Sequence, residues 1–357
     1  MASADLWKLL SPVAERETLT KFALEEFKGH VHDKDGLSMM AIGVDARSWF
    51  YAVCTRQYLP FVQSSENPEL CRTLMYALVA LANAPLHAHF VFDGVDRPSI
   101  LTVPPWIVGC LQELLPIFGF TWSMANHEAE RELASLSKAN KIWAALTEDS
   151  STFTFGAKRV IRPVFMIGSE IRVDMYLNPA ATTSSDDDGP CGPGFISTQP
   201  SLTHLASFCK SRLGWGPEKI HGYLRRKMWR AIFLRAYCQL PTNGPCGLLS
   251  KPSFCINQQL EVDGGVSAYN LTILAPSFIM AINQGLQAGR SDISSMHDAR
   301  QAPNCATWFQ ADGRINIPTT VLKHTAPEDV LNFLDRETHP SSQSRSASPA
   351  DWPSVNQ

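Results

Sequence analysis

Three apolar runs with an acid at the C-terminal end recur through the first half of the chain: MMAIGVDA (39–46), HAHFVFDG (87–94) and IWAALTED (142–149). A strand buried on both faces has this continuous pattern instead of an apolar–polar alternation. Between the runs the apolar positions recur at helical spacing. Leu70, Leu74, Leu78 and Leu81 predict a helix over 67–83, a second follows the run at 46–56, and a third starts on proline over 104–117. FGFTW (118–122) predicts a short strand, with a helix opened by Asn126 after it. Ahead of the first run, Leu6, Trp7, Leu9 and Leu10 form one stripe and Leu19, Phe22, Ala23 and Phe27 another, predicting short helices over 4–11 and 17–29. Alternation of strand and helix over 39–176 predicts a mostly parallel α/β sheet flanked by helices. Parallel strands would bring Asp45, Asp93 and Asp149 to one edge, where open sheets of this class place their chemistry.

Beyond residue 178 the pattern changes. PAATTSSDDDGPCGPGFISTQP (179–200) is rich in Pro, Gly, Ser and Asp and is expected to be a linker or surface loop. Residues 201–240 are helical in pattern and locally basic. The stretch 253–290 combines an alternating segment (Leu260, Val262, Val266, Tyr269, Leu271, Ile273) with an apolar helix near 276–287. The expected organisation is a core over 1–178, a loop over 179–200, a smaller helical and α+β region over 201–335, and a disordered Pro/Ser-rich tail over 336–357.

Composition narrows the function classes. A hydrophobic fraction of 45% and a charged fraction of 18% suit a chain that buries a core. The net charge of −3 and pI near 6.4 give no overall attraction to a polyanion, so any nucleic-acid contact must come from a local patch. Nine scattered cysteines without a C-x-x-C pair indicate reduced thiols in an intracellular protein, not a disulfide framework or a zinc site. No basic-then-apolar leader opens the chain, and nowhere do about 18 apolar residues run together, so a soluble protein without a membrane partner is expected. LRRKMWR (224–230) has the character of a nuclear signal, although basic residues on a helix face are more often solvated surface or ligand contacts.

The candidate chemistry is carboxylate chemistry. Glu128 and Glu130 open one helix, and Glu148 and Asp149 end the strand after it. Gathered carboxylates need a positive neutraliser, and oxygen ligands suit a hard cation such as Mg²⁺. Singly, each acid has a plainer role: Asp45 and Asp93 could cap the helices that follow them, Glu128 and Glu130 could be a helix-terminus pair, and Asp149 could start a helix or turn. Candidate phosphate contacts are Lys158, Arg159 and Arg162 after the FGA turn, and Arg225, Arg226, Lys227 and Arg230 in the basic helical stretch, interleaved with Trp215, Tyr223 and Trp229. The β-edge cations could equally discourage aggregation, and such aromatics are more often core on an amphipathic helix. His87, His89, His127 and His221 lack metal-ligand spacing.

GVDARSWFY (43–51), VFDGVDRP (91–98), HEAERELASL (127–136) and TEDSSTFTFGAKRVIR (147–162), in this order and spacing, resemble the N-terminal and internal blocks of the XPG/flap endonuclease superfamily. The likeness covers roughly residues 1–176 and lies nearest the Holliday-junction-resolvase-like branch; MASADLWKLL sits where that family opens. The resemblance implies a PIN-like α/β core that hydrolyses phosphodiesters in branched or flap DNA using two Mg²⁺ ions, with no small-molecule cofactor, and a nuclear or otherwise cytoplasmic location. Two ions about 4 Å apart stabilise attacking and leaving oxygens, and one lowers the pKa of the attacking water. Position by position, the resemblance assigns catalytic and metal-binding roles to Asp45, Asp93, Glu128, Glu130 and Asp149.

The sequence departs from the family at four places. Ser151 stands where the internal block has a further aspartate, which puts the second ion in doubt, since a hydroxyl is a poor ligand for a hard cation. The later aspartate and the hairpin element that grips duplex DNA are not found. Ala2 replaces the glycine after the initiator methionine, and SILTVPPWIV (99–108) replaces the basic residues after the FDG block. The leading expectation is therefore an impaired structure-specific DNA repair endonuclease. The alternative is a catalytically inactive pseudonuclease retained as a DNA-binding or protein-interaction module.

Overall fold

Three of the acid-tipped runs become neighbouring strands of one sheet. The structure, a computed structural model, describes residues 3–29, 39–54, 67–94, 104–167, 170–178, 195, 198–238, 252–262, 265–288 and 312–338. Its first half comprises α1 (Ser3–Leu10), β1 (Glu15–Thr18), α2 (Leu19–Gly29), β2 (Met40–Asp45), α3 (Ala46–Cys54), α4 (Pro68–Ala82), β3 (Leu86–Phe92), α5 (Pro105–Ile117), β4 (Thr121–Met124), α6 (Ala129–Lys138), β5 (Ala144–Leu146), α7 (Ser151–Thr154), β6 (Arg159–Ile167) and β7 (Glu170–Leu177). The strand order is β1-β7-β6-β5-β2-β3-β4. From β6 to β4 neighbouring strands are parallel, while β7 and β1 are added antiparallel. Every residue of β2, β3 and β5 is buried, which is why those segments carry apolar residues without alternation.

The chain leaves β2 for β3 and β4 on one side, then returns to β5 and β6 on the other. The order therefore reverses between β2 and β5, a switch point that opens a crevice beyond the strand C-termini. Asp45 and Thr147 through Asp149 flank that crevice. Helix α4 starts in the expected way: Asn67 accepts from the Glu69 N–H at 2.9 Å and Pro68 takes the first turn. Helix α6 begins at Ala129 with Glu128 as N-cap, three residues after the expected Asn126, because the Asp93 carboxylate accepts from the Ala129 N–H at 3.0 Å and supplies the cap from another strand. The segment expected as a helix from residue 17 starts as strand β1, which pairs with β7 from Glu15↔Met175 to Thr18↔Arg172.

The second half folds as helices α8 (Leu202–Ser211), α9 (Pro217–Lys227) and α10 (Trp229–Cys238), then strands β8 (Ser253–Val262) and β9 (Val266–Leu274), helix α11 (Pro276–Gln287), strand β10 (Asp312–Pro318), and helices α12 (Thr319–Thr325) and α13 (Pro327–Thr338). The strands form an antiparallel sheet in the order β10-β9-β8. Trp229, Phe233, Tyr269 and Phe278 are fully buried in the same apolar core as Leu74, Phe90 and Phe118 of the first half. Most of the 179–200 loop and nearly all of the expected tail lie outside the described residues, but Thr198 donates its N–H to the Gly119 carbonyl at 3.3 Å and Ser201 to that of Ile117 at 2.8 Å. Among the described residues no helix is long and apolar enough to cross a membrane.

A buried histidine pair links β3 to β4. His87 Nε2 and His89 Nδ1 meet the Thr121 hydroxyl at 3.0 and 2.8 Å, His89 Nε2 meets the Ser123 hydroxyl at 3.0 Å, and the Phe195 ring stacks 3.9 Å from that of His89. Burial drives the His87 pKa down to about 3 and that of His89 to about 4, with the Arg235 charge adding to the first. The unfolded chain takes up these protons near pH 6.5, before the folded chain does. Their stabilising contribution is thus complete above that pH and is lost as pH falls toward 4. We expect about 2 kcal/mol per histidine to be lost by pH 5. Calorimetric melting between pH 7 and 5 checks this: a His87→Gln/His89→Gln variant should show a clearly shallower fall in Tm, and equal slopes would place the acid sensitivity elsewhere.

Candidate active site

Asp45 ends β2 and caps α3. Its Oδ1 accepts from the N–H groups of Arg47 and Ser48 at 3.0 and 3.1 Å. Its Oδ2 accepts from the hydroxyls of Ser48 at 2.6 Å and Thr147 at 2.8 Å. A carboxylate offers about four lone-pair directions, so protein donors fill this one. Asp45 is 2% exposed. Burial pushes its pKa up, the Ser48 and Thr147 hydrogen bonds pull it down, and the negative charge of Asp93 raises it further.

The hydroxyls continue the network across the switch point. Ser48 Oγ accepts from the Glu148 N–H at 3.2 Å and Thr147 Oγ1 from the Asp149 N–H at 3.0 Å. Asp149 Oδ1 in turn accepts from the Ser151 N–H at 2.9 Å, so Asp149, one residue ahead of the N-cap Ser150, holds the first residue of α7. Trp7 of α1 braces the same turn by donating its indole N–H to the Glu148 carbonyl at 2.8 Å.

Asp93 lies just past β3. Besides capping α6 it faces Arg47, whose Nη1 is 3.8 Å from Asp93 Oδ2, with side chains 28% and 21% exposed. Gly94 donates its N–H to the His127 carbonyl at 2.8 Å, fixing the loop that leads into α6. Glu128 is half-buried at the N-cap and makes no side-chain capping bond, while Glu130 is 3% exposed in the first turn. Acids in that turn suit the helix dipole.

Asp45, Asp93 and Asp149 thus arrive at one edge, as the strand pattern predicts, and the capping roles available to Asp45 and Asp93 are both realised. A shared ligand set is not formed. Among the described residues no three of His, Cys, Asp and Glu are placed to hold a metal ion together. The residue types suit a hard cation, but their arrangement does not fit one, since Asp45 is filled by internal donors and Asp93 faces a guanidinium.

The basic candidates divide into two groups. Lys158 Nζ bonds Asn140 Oδ1 at 2.8 Å, Arg159 lies over the Trp143 ring at 5.2 Å and Arg162 over the Trp7 ring at 5.4 Å. Lys158 immediately precedes β6, and Arg159 and Arg162 lie on it, beside β5. Arg226 and Lys227 are exposed in the last turn of α9, Arg225 lies over the Trp229 ring at 5.7 Å, and Arg230 is half-buried in α10. Trp215 and Trp229 are buried, so the interleaved indoles serve the core instead of forming a stacking platform.

Arg47, Ser48 and Thr147 are the residues sequence reasoning missed. The D-x-x-S spacing of Asp45 and Ser48, N-cap to third helical position, is a signal for one of them. The Thr147 contact spans 102 residues and depends on β2 and β5 being neighbours.

Residues 119–186 match the family described as XPG I-region. The chain is 27% identical over 202 residues to flap endonuclease GEN homolog 1 of Mus musculus, covering 49% of this chain and 20% of that protein. It is 32% identical over 108 residues to flap endonuclease 1 of Drosophila ananassae, covering 30% of this chain and 27% of that protein. The chain therefore spans about a quarter or less of the length of these curated relatives. Among solved structures, human GEN1 in complex with Holliday junction DNA aligns over 94% of this chain and 98% of its own, with a TM-score of 0.59 and 16% identity. The junction-resolving enzyme GEN1 with product DNA, Mg²⁺ and Mn²⁺ ions aligns over 94% of this chain and 100% of its own, with a TM-score of 0.63 and 16% identity. The mostly parallel seven-stranded sheet with its helices and small antiparallel sheet is a fold shared with those GEN1 structures.

Proposed function

We propose, on the premise that this chain is a divergent relative of the XPG/flap endonuclease superfamily, that it acts on branched DNA as a structure-specific endonuclease of the flap or junction type. The observation that supports this most is the delivery of Asp45, Asp93 and Asp149 to one edge of the sheet at its switch point, with Glu128 and Glu130 on the first turn of the adjoining α6. Carboxylates from separate elements meeting at such an edge suit phosphodiester hydrolysis with water as nucleophile. Mg²⁺ is the cofactor this reading implies; Asp45, Asp93, Glu128, Glu130 and Asp149 would hold it, and to do so Asp45 and Asp93 would have to leave the arrangement seen. Lys158, Arg159, Arg162, Arg225, Arg226, Lys227 and Arg230 supply phosphate contacts in this reading, and DNA repair in the nucleus follows from the substrate. We take residues 1–178 as the hydrolytic core and 201–335 as the region that supports it.

A second reading, a DNA-binding module that does not cut, is favoured by one observation: protein donors already fill the oxygens of Asp45. Incubating the protein with labelled flap and four-way-junction DNA and Mg²⁺ or Mn²⁺ separates the two. The nuclease reading expects nicked product, and Asp93→Ala should remove it entirely. Binding of the junction without any product would overturn the nuclease reading in favour of the second.

A further inference from the structure

One residue touches both acids at the switch point. The Arg47 backbone N–H bonds Asp45 at 3.0 Å, and its guanidinium stands 3.8 Å from Asp93. We infer that Arg47 is a resident counter-ion, holding beside Asp93 the place of a divalent cation and keeping divalent cations weakly bound. The inference rests on the nuclease-type centre proposed above and names what controls its occupancy.

Three features of the geometry support it. First, the guanidinium is a cation built into the chain, and 3.8 Å from the Asp93 carboxylate it offsets that charge without needing an ion from solution. Second, a cation approaching Asp93 meets that positive charge at close range in a setting of reduced dielectric, where repulsion is several times stronger than in water. Third, Asp45 cannot help as it stands: a hard cation takes a carboxylate oxygen at about 2.1 Å, and both Asp45 oxygens are held by the Arg47 and Ser48 N–H groups and the Ser48 and Thr147 hydroxyls. The pair is also loose. At 3.8 Å, with both side chains reaching solvent, it can open without unfolding anything around it.

The test is a Mn²⁺ titration of the whole chain without DNA, with free Mn²⁺ followed by electron paramagnetic resonance. Arg47→Gln should bind Mn²⁺ at least about tenfold more tightly than the unaltered protein. Arg47→Lys, which keeps the charge, should stay near the unaltered affinity, and adding Asp93→Asn to Arg47→Gln should cancel the gain. Unchanged or weaker binding by Arg47→Gln, or a gain that survives Asp93→Asn, would overturn the inference. Arg47→Met serves in its place if a thermal melt shows Arg47→Gln unfolded at the assay temperature. The two proposals fail differently. A tenfold gain in Mn²⁺ affinity with no DNA nicking by any variant sinks only the nuclease reading, whereas nicking with equal Mn²⁺ affinities sinks only the role of Arg47.

Discussion

Arg235→Ala should lower the stability of the whole chain by about 3–5 kcal/mol, read from the urea midpoint. Arg235 sits on α10 with no exposed surface. Its Nη1 donates to the carbonyls of Ala82 at 2.6 Å and Ala231 at 3.4 Å, its Nη2 to that of Leu86 at 3.3 Å, and its guanidinium lies 5.4 Å from the Phe120 ring centre. Ala82 is the last residue of α4 and Leu86 the first of β3, so one side chain satisfies carbonyls on both sides of the turn between them. The carbonyl end of a helix also favours a cation. Burial lowers the Arg235 pKa to about 10, which leaves it charged at pH 7. Alanine would strand those carbonyls and leave a void. Arg235→Met refills the volume without the donors and should recover part of the loss. A midpoint within error of the unaltered protein would show that the carbonyls find other donors.

Gly94→Ala should have the second largest effect, centred on the site. A Cβ there would stand 2.6 Å from the Ala125 carbonyl oxygen and 2.8 Å from that of Asn126, and both are backbone atoms. The loop 125–128 must then shift, and with it the start of α6, the Asp93 cap on Ala129 and the two glutamates. We expect a cost of about 1–3 kcal/mol and early loss of amide-exchange protection at Ala129. A shift near 1 Å between Asp93 and Glu130 should also cost on the order of a hundredfold in any DNA cutting. Gly109→Ala is the control. Apart from its chain neighbours and the helix's own backbone, nothing lies within 4 Å of a Cβ built there, and it sits inside α5, so it should be neutral or stabilising by about 0.5–1 kcal/mol. Retained exchange protection at Ala129 in Gly94→Ala would show that the loop yields without moving the helix.

The sheet was legible in the sequence because its central strands are buried on both faces, and burial writes itself as an unbroken apolar run. What tertiary pairing alone creates was not legible. ERET at β1 has no apolar alternation and is a strand only through its bonds to β7, helped by the Arg16–Asp174 ion pair at 3.0 Å. DGRINIP at β10 does alternate, with Ile315 and Ile317 buried, but so short a pattern becomes a strand only beside its partner β9. In the candidate site the acids were visible from their positions at strand ends. Of the groups that occupy them, Ser48 is signalled by its spacing from Asp45, whereas Thr147 and the reach of the Arg47 guanidinium to Asp93 exist only once β2, β3 and β5 lie side by side. Arg235 stood in the sequence as one more member of a basic stretch, and only its burial against two carbonyls reveals a structural role.

The pairing of β1 with β7 also governs when the fold can be completed. Arg16 and Asp174 meet across 158 residues of chain. At ribosomal speeds of about 5–20 residues per second, β1 therefore waits roughly 8–30 s after its own synthesis before β7 exists to pair with it. Until then the segment before β2 is an unmatched edge, and the growing sheet must nucleate on the parallel strands β2 and β3, whose connection is far shorter. The antiparallel border is thus the last part of the sheet whose strands are all synthesised, and with β7 comes Tyr176, whose ring packs 4.9 Å from that of Trp7.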